Sequence, residues 1–296
     1  MKAMVLAAGL GTRLLPFTLK RPKPLFPVVG RPLLLRITEQ LRQAGSDSIL
    51  VNAHHLREQI VAALADSLDV VVQEEAEELG TGGGLRLARD QFGDQPVLVV
   101  NGDIWHDIDV AEVFQRHCES GADVTMVLHD CPRFNNVQVA GGLRVVGFGH
   151  EPGDLPASLL AFTGIQVINP AVLELIPAGC FFNIIDCYRL LLEQGGTIKG
   201  LVVRDHFWTD MGTPADYLAL HQTLLTAKNK LRSWPNPGAP FFMGDNARCG
   251  ADVKFHDWVA IGSNALIGEG CELQRVVVWD GAVIPSGSKL IDTIVA

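Results

Sequence analysis

The stretch Lys2-Ala3-Met4-Val5-Leu6-Ala7-Ala8-Gly9-Leu10-Gly11-Thr12-Arg13 decides how the chain is read. Residues 3–8 form a near-continuous apolar run, the pattern of a strand buried on both faces. Gly9 and Gly11 cut the run, and basic and Pro residues follow at once. It therefore reads as a strand and a tight turn rather than a signal peptide. Glycines at such a turn let backbone N–H groups approach phosphate oxygens with no Cβ in the way. Arg13 adds a planar fork of donors suited to phosphate. The segment is not a Walker A loop, and it is not G-x-G-x-x-G, because Leu14 stands where the third Gly would fall. A lone G-x-G serves equally as a structural turn.

The pattern around this stretch repeats. Apolar runs rich in Val, Ile and Leu recur at residues 48–53, 69–73, 96–101 and 123–129. Helical patterns fit between them, one from Pro32 to before Gly45, another after His54, and a third near Asp109, where Asp109-x-x-Glu112 resembles a capping box. This alternation predicts an α/β fold with a Rossmann-like, mainly parallel sheet and helices on both faces. Gly141-Gly142, flanked by residues 137–139 and 143–148, reads as a hairpin. Residues 161–168 and 197–203 read as strands, 184–193 as a helix, and Thr213-Pro214 starts a long one.

Trp234-Pro235-Asn236-Pro237-Gly238-Ala239-Pro240 has the composition of a linker between domains at 1–233 and 241–296. Beyond it, Ile261, Ile267 and Leu273 recur six residues apart, and Val278, Ile284 and Leu290 resume after one five-residue step. The residue two before each is small or β-branched. This is hexapeptide periodicity and predicts a short C-terminal left-handed β-helix of two to three turns, with a stack of hairpins as the alternative. Phe241, Phe242, Phe255, Trp258 and Trp279 lie near its expected ends and corners; some of them are expected to cover a coil end or an interface, with filling of the coil interior as the alternative.

Composition bounds the function. The chain has 296 residues, 48% apolar and 19% charged, enough for a full core and more than one domain. No run approaches the roughly 18 apolar residues of a spanning helix, so the expectation is a soluble, cytoplasmic protein without a membrane partner. The net charge of −9 argues against nucleic acid. Yet residues 1–38 hold Lys2, Arg13, Lys20, Arg21, Lys23, Arg31 and Arg36 and no acid, which suggests either a confined anion site or a solvated basic face. Cysteines 118, 131, 180, 187, 249 and 271 form no C-x-x-C pair, and core thiols are expected. Neither a Ser-His-Asp pattern nor H-E-x-x-H occurs, and His54-His55 lack a matching carboxylate.

A second motif, Arg21-Pro22-Lys23-Pro24-Leu25, places prolines on both sides of Lys23 and so restricts its backbone. Together the two segments read G-x-G-T-R-(x)9-K-P-L. This resembles the signature of the sugar-1-phosphate nucleotidylyltransferases, the family of glucose-1-phosphate thymidylyltransferase, GDP-mannose pyrophosphorylase and N-acetylmuramate-1-phosphate uridylyltransferase. Further segments agree in order. Residues 79–85 look like the nucleobase loop, Asn101-Gly102-Asp103 like the metal-binding strand end, residues 162–165 like the sugar-pocket strand, and Trp208-x-Asp210-x-Gly212-Thr213-Pro214 like the second metal segment. The resemblance covers about residues 1–225, and the tail is similar to the GDP-mannose pyrophosphorylase branch.

What the resemblance implies is specific. Arg13, Lys23 and Asp103 would be catalytic, and Asp103 and Asp210 would hold Mg²⁺. Leu6, Ala8, Gly9, Gly11, Thr12, Gly80, Gly82 and Gly83 would bind the nucleotide, and Gly164, Asn183 and Lys199 the sugar. The glycines at 80–84 are poor helix material and are expected to form a loop close to the base. Asp103 follows a buried strand, the end where open α/β sheets bind ligands, although a lone Asp there also serves as a turn residue. Asp109 reads as a helix cap and Asp107 as solvated. Glu74 and Glu75 are sugar or base contacts or else exposed strand-end acids. Nucleotidyl transfer needs no protein nucleophile, because an ionised sugar phosphate attacks the α-phosphorus itself. The work left to the protein is positioning and charge neutralisation.

One departure stands out. Many relatives carry a Lys in a Phe-x-Glu-Lys-Pro-like segment that grips the acceptor phosphate. Residues 147–152 here have none, which leaves Lys199, Arg204 and Arg144 as candidates. The substrates expected are a nucleoside triphosphate and a sugar 1-phosphate, with mannose 1-phosphate and GTP favoured by the tail. Uridylyl or thymidylyl transfer to N-acetylmuramate 1-phosphate or glucose 1-phosphate is the alternative. A non-catalytic nucleotide-sugar-binding subunit and an acyltransferase tail are rivals from other classes, the last with only His256 to offer. A homo-oligomer is compatible with the tail.

Overall fold

The computed structural model describes residues 1–149, 157–226 and 240–296. His150, Glu151 and Pro152 of the departing segment, and residues 234–239 of the expected linker, lie outside the described residues. The fold is mixed α/β. Two compact units are present: Met1–Leu10, Ile37–Gly102 and Ile108–His206 make the first, and Gly11–Arg36, Asp103–Asp107 and Phe207–Ala296 the second.

The first unit is built on a nine-stranded sheet. Its order is Val70–Glu74, Ser48–Ala53, Lys2–Leu6, Val97–Asn101, Ser158–Ile168, Val124–His129, Ile198–Val202, Arg144–Phe148 and Val137–Ala140. The strands at 2–6, 48–53, 70–74, 97–101, 124–129 and 198–202 share one direction, and Ser158–Ile168 runs against its two neighbours. Successive residues such as Val97, Leu98, Val99 and Val100 are all fully buried, so both faces of the central strands are covered, whereas the edge strand Val70–Glu74 is partly exposed. On one face Met4, Val97, Val99, Val124 and Met126 pack with Leu85, Ile184, Cys187 and Tyr188 from the helices Gly80–Leu87 and Ile184–Glu193. The Gly141-Gly142 hairpin forms as expected, joining antiparallel strands. The sheet puts the carboxyl ends of its parallel strands, Leu6, Asn101, His129 and Val202, along one edge.

The second unit joins the signature loop to the C-terminal segment. Phe241–Met243, Lys254–Ile261, Glu272–Val278 and Lys289–Val295 form one parallel ladder, and Arg248–Cys249, Leu266–Ile267 and Val283–Ile284 another. Val259 pairs with Val276 and Val276 with Thr293, whereas Phe241 pairs with Val259 and Lys254 with Glu272. The spacing is thus 18 residues where three hexads intervene and 17 across the five-residue step, and it stays 17 from Val278 to Val295 beyond that step. Val259, Ile261, Ala265, Ile267, Cys271, Leu273, Val276, Val278 and Ile284 form its core, the positions picked out by the periodicity.

The helix Pro214–Thr226 packs along this segment. Thr213 caps it, its hydroxyl oxygen accepting from the Asp216 N–H at 3.2 Å. Its fully buried His221 stacks on Trp258 with ring centroids 6.3 Å apart. His221 Nδ1 is 3.0 Å from the Tyr217 carbonyl oxygen, and the Val29 N–H donates to Nε2 at 3.1 Å. One nitrogen must therefore donate and the other accept, which fixes a neutral tautomer. The Tyr217 hydroxyl donates to the Pro27 carbonyl. Among the described residues all six cysteines are free thiols, and no helix is long and apolar enough to cross a membrane.

Burial lowers the pKa of His221 to about 4. Burial, with His206 adding to it, lowers that of His129 to about 4 as well. Both are depressed below the unfolded value of about 6.5, so their stabilisation is present above that pH and is lost as pH falls toward 4. For His221 the loss is on the order of 3 kcal/mol. Thermal melts should show a falling Tm between pH 6.5 and 4, and His221→Gln, which keeps an acceptor for Val29, should flatten that slope. An equally steep acid limb in the variant would assign it elsewhere.

Candidate active site

The second unit gathers the ionised residues of the two motifs. From Gly11 onward, prolines 16, 22 and 24 break the chain into single helical turns at Thr12–Leu14, Phe17–Leu19 and Lys23–Leu25. Gly11 sits at φ 63°, and a Cβ there would lie 2.9 Å from Thr18 Cγ2, so the turn calls for glycine. The loop carries Lys23 inward. Its side chain is only 8% exposed, and its ammonium donates to Asp103 Oδ2 at 2.6 Å and Asp210 Oδ1 at 3.2 Å.

The two acids meet for a local reason. Asp103 lies two residues beyond the strand Val97–Asn101, and Ile104–His106 follows it as a short strand. Trp208–Asp210 pairs antiparallel with that strand, Asp210 opposite Ile104, and the Met211 N–H donates to the Asp103 carbonyl at 3.2 Å. Asp107 is not solvated as expected. Its carboxylate accepts from the Phe207 N–H at 2.7 Å, tying down the strand that carries Asp210. Arg13, whose side chain is 61% exposed, reaches Asp210 Oδ2 at 3.6 Å. A Cβ on Gly212 would lie 2.6 Å from that oxygen and 2.9 Å from the Arg13 guanidinium, so glycine here is a condition of their approach.

The first unit holds the remaining candidates. The Leu6 carbonyl accepts from the Gly102 N–H at 2.8 Å, and the Ala7 N–H donates to Asn52 Oδ1 at 2.7 Å. These bonds fix the strand end from which Ala8 and the exposed Gly9 project. The glycines at 80–84 require a correction. They form a helix, Gly80–Leu87, and not a loop. The N–H groups of Gly82 and Gly83 both donate to the Phe182 carbonyl, at 2.8 and 3.2 Å, and so are not offered to a base. A Cβ at Gly83 would meet the Cys180 carbonyl at 2.5 Å, and one at Gly84 would meet Asn52 and Glu75 at 2.7 Å. Close packing overrides the poor helix propensity of glycine.

Asn183 borders Gly82, but its side-chain oxygen is used as a helix cap, accepting from the Ile185 N–H at 2.8 Å. Gly164 sits at φ 79° in an irregular stretch of its strand, against the Asn101 side chain. Lys199 does not join these residues. It stands second in Ile198–Val202, its ammonium donates to the Ser120 carbonyl at 3.2 Å, and it pairs with Arg144 at the amino end of the parallel strands. This placement removes Lys199 and Arg144 from the edge that carries Leu6 and Asn101. Arg204, exposed just past Val202, is on the carboxyl side.

Glu75 was not singled out by its sequence context over Glu74. Glu74 is exposed and ion-paired with Arg57, but Glu75 is 1% exposed. Its Oε1 accepts from Asn52 Nδ2 at 2.8 Å, and Oε2 is buried without a partner among the described residues. Burial raises its pKa, with Asn52, Gln73 and the Leu79 N–H opposing that rise. The pair Asn52–Glu75 thereby links the Ala7 N–H to the start of the glycine helix.

Against known proteins, the family model described as nucleotidyl transferase matches residues 2–227. The chain is 30% identical to the probable mannose-1-phosphate guanylyltransferase 2 of Arabidopsis thaliana, with 98% of this chain and 80% of that protein covered. It is 28% identical to the UTP–glucose-1-phosphate uridylyltransferase of Synechocystis, covering 100% and 87%, and 28% identical to the mannose-1-phosphate guanylyltransferase of Mycobacterium tuberculosis, covering 96% and 81%. The solved structure of HddC from Yersinia pseudotuberculosis shares the fold, with TM-score 0.62, 24% identity, and 74% and 97% of the chains covered. The chain belongs to the nucleotidyl transferase family, among the sugar-1-phosphate nucleotidylyltransferases.

Two substitutions probe this geometry. Gly212→Ala should lower turnover by roughly 100-fold, the effect of a misplacement near 1 Å at a site of positioned charges, with little change in Tm. Near wild-type turnover would show that Asp210 and Arg13 tolerate the added methyl. Glu75→Leu strands Asn52 Nδ2 in the core and should cost about 1–3 kcal/mol of stability, whereas Glu75→Gln, which keeps an acceptor oxygen for Asn52, should cost less. Equal destabilisation in denaturant melts would contradict a stabilising role for the Asn52–Glu75 bond.

Proposed function

We propose that the protein transfers GMP from GTP to mannose 1-phosphate and releases pyrophosphate, with Mg²⁺ held by Asp103 and Asp210. The observation that carries the chemistry is the convergence of two carboxylates on a single cation, the Lys23 ammonium, beside Arg13. A donor set that gathers one positive charge between two carboxylates suits a hard divalent ion, which takes one or two carboxylates and completes its shell with phosphate oxygens and water. When bound, Mg²⁺ neutralises charge on the phosphates.

The chain's own groups do the rest. A phosphate oxygen of the sugar 1-phosphate forms the new bond to the α-phosphorus, and the bond from that phosphorus to the bridging oxygen of pyrophosphate breaks. Arg13, exposed and paired with one acid among the described residues, has donors to spare for the leaving pyrophosphate. Lys23 supplies a buried positive charge held in place before substrate arrives. Ala8, Gly9, Gly11 and Thr12 offer backbone and hydroxyl donors to the triphosphate, Gly80 its positive-φ turn to the base, and Gly164 and Asn183 line the sugar. Arg204 takes the acceptor phosphate in place of the missing Lys.

GTP and mannose 1-phosphate are supported by mannose-1-phosphate guanylyltransferases that match 96% and 98% of this chain, tail included. The Synechocystis relative, matched along the whole chain, supports UTP and glucose 1-phosphate as a second reading. In either, residues 1–233 carry the chemistry, 234–240 link, and 241–296 form a left-handed β-helix, a reading supported by its 17- and 18-residue parallel spacing. The exposed Leu266, Val283 and Ile291 of this segment support a homo-oligomer. The substrates are small soluble anions and the enzyme is cytoplasmic.

Pyrophosphate release measured for GTP, UTP and dTTP against mannose, glucose and N-acetylmuramate 1-phosphates tests the assignment, and a preference outside GTP with mannose 1-phosphate overturns it. Activity should require Mg²⁺ or Mn²⁺. Asp103→Asn and Asp210→Asn should each lose at least about 3 kcal/mol of transition-state stabilisation while remaining folded. Arg204→Ala should raise KM for the sugar phosphate more than for the nucleotide.

A further inference from the structure

We propose that Trp279 of the C-terminal segment is a positioning residue for the reaction, holding the Arg21–Phe26 loop so that Lys23 stays directed at Asp103 and Asp210. The inference rests on the role given to Lys23 above. Trp279 is 3% exposed although it stands at the end of a tail strand, and residues of the signature loop lie against its ring. Its ring lies edge-on to Phe26, centroids 4.7 Å apart, and tilted to Phe17 at 5.9 Å. The Arg21 guanidinium lies 4.9 Å from the ring centroid, and the same Arg21 reaches Asp280 Oδ2, the next residue of the tail, at 3.4 Å. Lys23 is thus bracketed in sequence by two residues, 21 and 26, that are both held by positions 279–280.

The bracket matters because little inside the loop can do this work. Residues 12–25 are three separate single helical turns with no ladder to lock them, and short turns of this kind are stabilised by what they pack on. Farther along, the loop is fastened to the same body twice more. The Phe242 ring fills the space beside Gly30, where a Cβ would fall 2.4 Å from it, and the Val29 N–H donates to His221, which stacks on Trp258. Trp279, Trp258 and Phe242 are therefore not coil filling, whereas Phe255 packs against the tail core. Trp279 and Trp258 face the loop and the helix Pro214–Thr226, and the effect of removing them falls on the loop that carries Lys23.

The test compares Trp279→Ala, Trp279→Phe and Lys23→Ala, alone and combined, in the full chain well below its Tm. The assay uses whichever triphosphate and sugar 1-phosphate pair gives turnover. Trp279→Ala should lower kcat about tenfold or more with a smaller change in KM, as misplacement of a charge-stabilising group does. Trp279→Phe, which keeps a ring against Phe26, should recover most of it. In the Lys23→Ala background the Trp279 substitution should have little further effect, the coupling expected of residues acting through one another. Wild-type kcat in Trp279→Ala, or an undiminished effect without Lys23, overturns the proposal. Full turnover in Lys23→Ala overturns the role of Lys23 instead. A substrate-free measurement separates the two failures: pulse acetylation of Lys23, read by mass spectrometry against Lys2, should be faster in Trp279→Ala, and an unchanged rate overturns the clamp. Should Trp279→Ala fail to fold, Trp279→Leu takes its place in every arm.

Discussion

A lysine ammonium buried between two carboxylates is the constraint on which the site depends. Each of the three groups is costly to bury alone. Lys23, at 8% side-chain exposure, is tolerable only while Asp103 and Asp210 both face it, and Asp210, at 15%, only while Lys23 and Arg13 face it. The three come from distant parts of the sequence. Any fold that seats the lysine must bring the strand-end Asp103, the strand Trp208–Asp210 and the proline-broken loop together. The backbone bond from Met211 to Asp103, the carboxylate of Asp107 on the Phe207 N–H, and the missing Cβ of Gly212 all serve that juxtaposition.

On the proposed reading, the same cluster serves before and during reaction. Of the two cations that offset the carboxylates, Lys23 is buried and Arg13 exposed, so the proposed divalent cation would meet a surplus negative charge once Arg13 turns to phosphate. Arg13 is mostly exposed and contacts a single carboxylate oxygen at 3.6 Å, too long for a tight fork–fork pair. An exposed contact of that length contributes little to stability, so the guanidinium is free to exchange it for a phosphate. Lys23 cannot leave cheaply, and Arg13 can. The division of labour between a fixed charge and a mobile one follows from burial alone.

Much of this was legible in the residues. Continuous apolar runs located the parallel strands to within a residue or two, because strands buried on both faces have no polar side to blur the pattern. Hexad spacing located the tail core, down to the five-residue step that appears as a 17-residue register. Other parts were not legible. Glycines at 80–84 read as a loop by propensity, yet contacts with Phe182, Cys180, Asn52 and Glu75, distant in sequence, make them a helix. Glu74 and Glu75 are adjacent and identical in type. Only the register of their strand sends one to solvent and the other to the core. Lys199 looked suitable as a cation near a strand, but which end of a strand faces the ligand edge depends on direction and position within it.

The tail shows the same limit from the other side. Its period was plain in the sequence, but a period specifies only what points inward. Trp258 and Trp279 lie at positions where the coil's interior does not take them, so their partners had to be found elsewhere in the chain. Those partners are Phe17, Phe26, Arg21 and His221, of which Arg21 alone stands in a sequence motif. His221 in particular reads as an ordinary helical residue. It becomes a fixed neutral donor–acceptor only because Tyr217 and Val29 occupy its two nitrogens while Trp258 covers its face. A residue so enclosed transmits disturbance rather than absorbing it, since neither the proton nor the ring can move without breaking a buried bond. The parallel strands of the C-terminal segment are therefore coupled to the signature loop by directional contacts as well as by apolar area, so changes in that segment reach Phe26 and Arg21 directly.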